Sequence, residues 1–215
     1  PCCASLPSPL PPPPQQQQQQ RQQPQGGDVT CHLLQINING LRGKIDNLAD
    51  YMMREEILVA AIQETQLGEN STLRVPAGFS IVRADRPATR GRGGGLAFLI
   101  SKGVSHRVLP LPAPPAGDAH LEQQAVELSM KHLLQVNNAI LVGDFNAHHD
   151  LWHSALAKDA RGRRVAQEIE DSNFAVLNEE APTRVKSDVV SSPDITLATL
   201  EHLMAAEWTT RAALG

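Results

Sequence analysis

The chain has 215 residues, with 19 Lys and Arg against 23 Asp and Glu, a net charge of −4. Hydrophobic residues are 41% of it, enough to bury a core over most of the length, and no run reaches the roughly 18 apolar residues of a membrane helix. Three cysteines are too few for a disulfide scaffold, the acidic balance excludes a uniformly basic nucleic-acid coat while permitting a local basic groove, and 3% aromatics argue against a base-stacking platform.

The first 27 residues hold eight of the 16 prolines, including Pro11 to Pro14, followed by Gln15 to Gln20. Such a segment has almost nothing apolar to offset its ordering entropy, so residues 1–27 are expected to be a disordered leader: a neutral spacer, or a polyproline II ligand for a proline-binding module. Proline and glutamine stand where the apolar stretch of a secretory signal would be. The expected compartment is therefore reducing, nuclear or cytoplasmic, with Cys2 and Cys3 as ordinary thiols. From residue 28 the pattern changes. Cys31 to Ile38 (CHLLQINI) reads as a strand, with Cys31 buried and inert. Leu41, Ile45, Leu48, Ala49, Met52 and Met53 recur at helical spacing. Ile57 to Gln63 (ILVAAIQ) is too short for a typical buried helix and reads as a buried strand. Phe79 to Arg83 and Gly95 to Ser101 are further strands, joined by a turn rich in Arg, Pro and Gly from Ala84 to Gly94. A strand candidate lies in Ala119 to Ser129. Ala139 to Val142 is an apolar strand ending in Gly143, Val165, Ala166 and Ile169 place a helix around 161–172, and Phe174 to Leu177 and Asp194 to Leu197 complete the strands. Interleaved strands and helices imply a layered α/β domain.

Polar residues gather at the ends of these strands: Asn37 and Asn39 after the first, Glu64 after ILVAAIQ, Asp144 and Asn146 after AILVG, and Asp194 at the start of the last. Carboxylates with amides between them suit a hard, oxygen-preferring cation such as Mg2+, and amides can bind phosphate oxygens without repelling them. The set suggests metal-assisted attack on a phosphodiester. Asn and Asp after a strand are equally common as turn formers. GRGGGL (Gly91 to Leu96) lacks the Lys-Ser or Lys-Thr of a phosphate loop and reads as a hairpin into a strand. Arg83, Arg86, Arg90 and Arg92 around it are either a solvated loop or contacts to DNA phosphates. His149 and His153, four apart beside His148, invite a zinc reading, but no cysteine lies nearby and no fourth ligand is evident.

QININGL (Gln35 to Leu41), IQET (Ile62 to Thr65), GGGLAFLIS (Gly93 to Ser101), GDFNAHHDLW (Gly143 to Trp152) and SSPDITL (Ser191 to Leu197) occur in that order. Together they resemble the endonuclease domain of non-LTR (LINE-type) retrotransposons, part of the endonuclease/exonuclease/phosphatase superfamily that also holds the apurinic-site endonucleases. The resemblance runs from about residue 31 to the end. It implies two packed β-sheets flanked by helices, and Mg2+-dependent (or Mn2+-dependent) nicking of a DNA duplex. The freed 3′ hydroxyl would prime a reverse transcriptase in another domain of a longer polyprotein. It also implies roles. Glu64 is the main metal ligand; Asn37 binds metal or the scissile phosphate, with Asn39 in the same network. Asp144 orients and deprotonates the attacking water, and Asn146 holds the phosphate. Thr183 lies near the DNA backbone, and Asp194 orients a C-terminal histidine. The family carries similar paired histidines after GDFN without a zinc site.

Two departures accompany the resemblance. After the AVELS strand the family continues into a strand whose tyrosine contacts the phosphate; the chain passes from Ser129 almost directly to AILVGDFN, and its one tyrosine is Tyr51. The terminal Ser-Asp-His of the family is not found before Gly215, and His202 is a poor substitute for its histidine. The expectation is an incomplete sandwich over 28–215, weakened by lost strands and catalytically crippled, since losing a catalytic acid or base typically costs ~10²–10⁴ in rate. The rival readings are a non-catalytic remnant that at most binds DNA, and an apurinic-site nuclease or phosphoesterase of the same superfamily.

Overall fold

The computed structural model describes residues 30–85, 94–108, 130, 133–186 and 189–211. The expected leader, Arg86, Arg90 and Arg92 of the Gly-rich turn, and the strand candidate at 119–129 lie outside the described residues. In chain order the elements are β1 (His32–Asn37), α1 (Ile45–Arg54), β2 (Ile57–Gln63), β3 (Phe79–Ala84), β4 (Leu96–Ser101), β5 (Ile140–Asp144), a 3-10 turn (Asp150–Trp152), α2 (Ala160–Glu170), β6 (Phe174–Val176), β7 (Arg184–Lys186), β8 (Val189–Ser191), β9 (Asp194–Thr199) and α3 (Leu200–Leu203). Among the described residues no helix is long and apolar enough to cross a membrane.

The chain forms two packed sheets, each with its own helix-covered core. The first has the order β1-β2-β4-β3, with β1 and β2 parallel and the other pairs antiparallel. Parallel neighbours need a crossover, and α1 supplies it. Its apolar positions Ile45, Leu48, Ala49 and Met52 follow the i, i+3, i+4, i+7 stripe and are buried, against Ala60 and Ile62 of β2 and Leu99 of β4. Met53, expected on that stripe, stands one position off it and is exposed; Leu41 is fully buried in the turn ahead of the helix. β2 is covered on both sides, which explains its unbroken apolar run.

The second sheet is antiparallel throughout, in the order β5-β9-β6, with β7 and β8 forming a separate hairpin. Val165, Ala166 and Ile169 of α2 pack with Trp152, Phe174, Ile195 and Leu197 in its core. The two layers meet through β1 and β2 against β5. Alternation along β1 sets what faces where: Leu34 and Ile36 join the α1 core, whereas Gln35 and Asn37 reach Asp194 and Asp144 of the other sheet. Cys31 corrects an expectation. It precedes β1 and is exposed, as are the first two residues of that strand, so the sheet buries only the middle of β1.

Candidate active site

The strand ends are laced together by main-chain hydrogen bonds before any side chain is considered. Beyond β1, Ile38 N donates to Gln63 O at 3.1 Å, Gly40 N to Glu64 O at 2.8 Å and Leu41 N to Thr65 O at 2.9 Å. Beyond β2, Thr65 N and Gln66 N donate to Gly95 O and Gly94 O at 3.1 and 2.9 Å. Across the second sheet, Phe145 N donates to Pro193 O at 2.9 Å. Several of these residues adopt the left-handed backbone: Asn39 (φ 46°), Glu64 (φ 54°), Gln66 (φ 54°) and Asn146 (φ 45°). Non-glycine residues hold such angles only where their surroundings over-determine them, and such strain clusters at functional sites. Gly95 (φ 86°) is required on a second ground, since a Cβ there would collide with the Thr65 hydroxyl.

Upon this frame the structure brings together most of the residues expected at the site. Asn37 Nδ2 donates to Asp144 Oδ2 at 3.4 Å, and Asn146 N donates to Asp144 Oδ1 at 3.1 Å. Asp144 and Asp194 are register partners on β5 and β9. Gln35 Nε2 donates to Asp194 Oδ1 at 2.9 Å, bridging the two sheets, and Thr183 Oγ1 accepts from Asp194 N at 3.3 Å. Burial pushes the Asp194 carboxyl above the usual carboxylate range; hydrogen bonds from Thr183 and Gln35 and the Arg184 charge oppose the rise, and the neighbouring Asp144 adds to it. Glu64 Oε2 accepts from Gly94 N at 2.5 Å, which fixes this carboxylate to the base of the β3–β4 hairpin. Asn39 makes its side-chain hydrogen bond elsewhere than to Asn37. Its turned backbone sends the side chain to Gln66, whose Nε2 donates to Asn39 Oδ1 at 2.6 Å. His148 pairs with the Ser154 hydroxyl, and His149 caps the 3-10 turn by accepting from Leu151 N.

Three contributors escape strand-by-strand reading. Gln35 lies two residues before Asn37, so period-2 alternation was the signal for it. Asn178 donates to Asp194 O at 2.9 Å and accepts from Thr196 N at 2.8 Å, stitching the start of β9 to the segment after β6; only the fold brings these together. Gln63 is the register partner of Asn37, and its buried Oε1 has no hydrogen-bond partner among the described residues.

Among the described residues no group of three His, Cys, Asp or Glu side chains stands ready to hold a metal ion. Mg2+ does not need one, since it usually keeps several waters and binds through one or two carboxylates together with substrate phosphate. The donors present fit that pattern. They are the Glu64 carboxylate and the Asn37 amide oxygen, which stand at the ends of the adjacent strands β2 and β1. Both are hard oxygen donors.

Comparison with known proteins gives the fold its relatives. The chain resembles the endonuclease domain of TRAS1, a telomere-specific non-LTR retrotransposon, at TM-score 0.57 and 17% identity, covering 81% of this chain and 88% of that one. An AP endonuclease from Archaeoglobus fulgidus matches at TM-score 0.59 and 16% identity over 81% and 89%. The 3′ phosphatase NExo (D146N) from Neisseria, bound to a product DNA hairpin, matches at 0.62 and 14% over 81% and 89%. At these identities the likeness speaks for the fold. No curated protein matches the chain in sequence. The model of the Endonuclease/Exonuclease/phosphatase family matches residues 34–211, which span β1 to the segment after α3 and so include every residue of the candidate site. With most of its length matched and the strand ends arranged as described, the chain belongs to the endonuclease/exonuclease/phosphatase family.

Proposed function

We propose that the chain is a Mg2+- or Mn2+-dependent endonuclease of the non-LTR retrotransposon type that nicks one strand of a DNA duplex. The observation that carries this reading is the Asn37–Asp144 hydrogen bond between the two sheets, which joins an amide and a carboxylate from strand ends 107 residues apart. Asp144 is restrained through both its oxygens and is the group to orient a water and accept its proton. The water oxygen bonds to phosphorus, the bond from phosphorus to the 3′ oxygen breaks, and that oxygen takes a proton from solvent water to leave as a 3′ hydroxyl, the phosphate staying on the 5′ side of the nick. Asn146 and Asn37 donate to the phosphate oxygens. Glu64, held by Gly94, and Asn37 would hold the cation, which when bound neutralises charge growing on the phosphate and leaving oxygen. Thr183 is assigned beside the DNA backbone, and Arg90 and Arg92 to phosphates of the flanking duplex. The freed 3′ end would serve a reverse transcriptase domain of a longer polyprotein.

The QININGL and GDFNAHHDLW motifs favour the retrotransposon reading over an apurinic-site one. The only tyrosine, Tyr51, stands on α1, so no tyrosine is available to contact the phosphate, and turnover is proposed to be crippled. That same observation favours a second reading, a non-catalytic remnant that binds DNA. The test uses supercoiled plasmid, intact duplex and abasic duplex side by side in Mg2+. Slow nicking of plasmid and intact duplex that EDTA abolishes supports the proposal. Cleavage confined to abasic sites would transfer the protein to the apurinic class, and salt-dependent binding without cleavage would establish the remnant.

A further inference from the structure

The cleavage reading uses Asp144 and Asn146 but leaves the rest of GDFNAHHDLW without a role. After β5 the segment 145–149 has no regular structure, yet its main chain is tied down position by position, at all but Asn146 from downstream elements. Phe145 N donates to Pro193 O at 2.9 Å, and Phe145 O accepts from Arg161 Nη1 at 3.4 Å. Asn146 N is held by Asp144 at 3.1 Å. Ala147 O accepts from Trp152 Nε1 at 3.1 Å, His148 O from Asp159 N at 3.1 Å, and His149 O from Ser154 N at 3.3 Å. Trp152 is fully buried, whereas Arg161 is exposed at the start of α2. The carbonyls these two hold, at 145 and 147, flank Asn146, whose left-handed backbone (φ 45°) needs outside support.

We propose that Trp152 and Arg161 are positioning residues that clamp the carbonyls on either side of Asn146 and thereby hold the Asp144–Asn146 turn in its reactive shape. The indole serves here as a hydrogen-bond donor as well as core filling, which accounts for a tryptophan in the motif where phenylalanine would satisfy burial alone. Arg161 grips the turn from the solvent side through α2. The effect on the turn follows from the contacts alone; the effect on turnover rests on the proposed cleavage reaction.

The experiment compares the full chain with Trp152→Phe, which keeps an aromatic ring of smaller volume and removes the donor, and Arg161→Ala, an exposed change that removes the second clamp and leaves the core intact. Amide hydrogen exchange at 145–149 is expected to quicken about tenfold in each variant, with exchange in α1 and β2 unchanged. On DNA, kcat is expected to fall about tenfold with KM nearly unchanged, because the clamp shapes the groups at the reacting phosphate and not the surface that grips the flanking duplex. In an Asn146→Ala background the Trp152→Phe change should lose most of its effect on kcat, as a residue acting through that turn must. Unchanged exchange in both variants overturns the proposal. So does an Arg161→Ala chain with raised KM, a shallower salt dependence and intact kcat, which would make Arg161 a phosphate contact. If no chain cleaves DNA while exchange still quickens, the clamp stands and the cleavage reading falls.

Discussion

Glycine 162 supplies a test in which two physical effects oppose each other in sign. It occupies the first turn of α2, where alanine is the better helix former by about 1 kcal/mol. Packing argues the other way. A Cβ on Gly162 would overlap the His148 carbonyl oxygen and lie 2.6 Å from its carbon. Ordinary contact begins near 3.4 Å and the oxygen is the nearer atom, so the His148 carbonyl or the helix must give way by more than about 1 Å. The obstacle is main chain, already bonded to Asp159 N at 3.1 Å, so the cost belongs at the upper end of overpacking, about 3 kcal/mol. The net expectation for Gly162→Ala is about 2 kcal/mol of destabilisation, a fall in Tm of roughly 4–8 °C for a domain of this size. The displacement reaches the turn that carries Asp144 and Asn146, and misplacing reacting groups by about 1 Å can cost up to 10²-fold in rate. Thermal unfolding followed by circular dichroism measures the first effect. Gly43→Ala is the control, since a Cβ there meets nothing within 4 Å, and its change should stay within about 0.5 kcal/mol. A Gly162→Ala chain with a Tm equal to or above the parent's would refute the reasoning, because helix propensity alone would then have decided the outcome.

The remaining expectations follow from the charged groups around the same strands. Because burial raises the Asp194 carboxyl, the native state holds its proton more tightly than the unfolded chain, and stability falls as pH rises from about 3.9 through the native value. Asp194→Asn should therefore raise Tm at neutral pH, the gain vanishing at acid pH; a lower Tm at pH 7 would contradict this. Gln35→Leu removes the 2.9 Å donor to Asp194 and should cost about 1–3 kcal/mol in urea unfolding. It should also move the Asp194 carboxyl titration, read by NMR, further upward; an unmoved titration would show that the bond does not matter. Asp159 caps α2 by accepting from Gly162 N at 2.5 Å. Burial opposes its ionisation, but the backbone N–H groups of Gly162 and His148 and the nearby His148 and Arg161 charges hold its carboxyl below the usual range. Asp159→Ala should cost about 1 kcal/mol above the unfolded pKa of about 3.9, the difference closing as pH falls through the lower native value.

Where one local force dominated, the sequence was legible. Ile57–Gln63 forms β2 with the expected bounds because an unbroken apolar run is closed by acidic residues on each side. The helix around 161–172 appears as Ala160–Glu170, since Val165, Ala166 and Ile169 share one face. The hairpin of β7 and β8 was not legible: its strands have three residues each, too few for alternation to register. The 3-10 turn at Asp150–Trp152 likewise carries no periodic signal. At the site, Asn37, Glu64, Asp144 and Asp194 could be picked out because polar residues at the ends of apolar strands break the pattern. The resemblance places Asn39 in one network with Asn37; the hydrogen bond its side chain makes is to Gln66, from a backbone with positive φ that strand pattern does not signal. The burial expected of Cys31 failed for a related reason, as residue type set the expectation while position ahead of β1 set the outcome. Gly162 and Asp159 read as an ordinary helix start; their contact with His148 spans a loop that only the folded chain closes.

The most direct test of the central claim is nicking of supercoiled plasmid by the purified chain in Mg2+, with EDTA, Glu64→Ala and Asp144→Ala as controls. The expected result is slow conversion to the open circle, below the rate of an intact relative, abolished by EDTA and by either substitution. Nicking that persists in both variants would place the chemistry elsewhere, and a folded parent chain that binds DNA without nicking it would contradict the assignment of Asp144 and Glu64 to a working site.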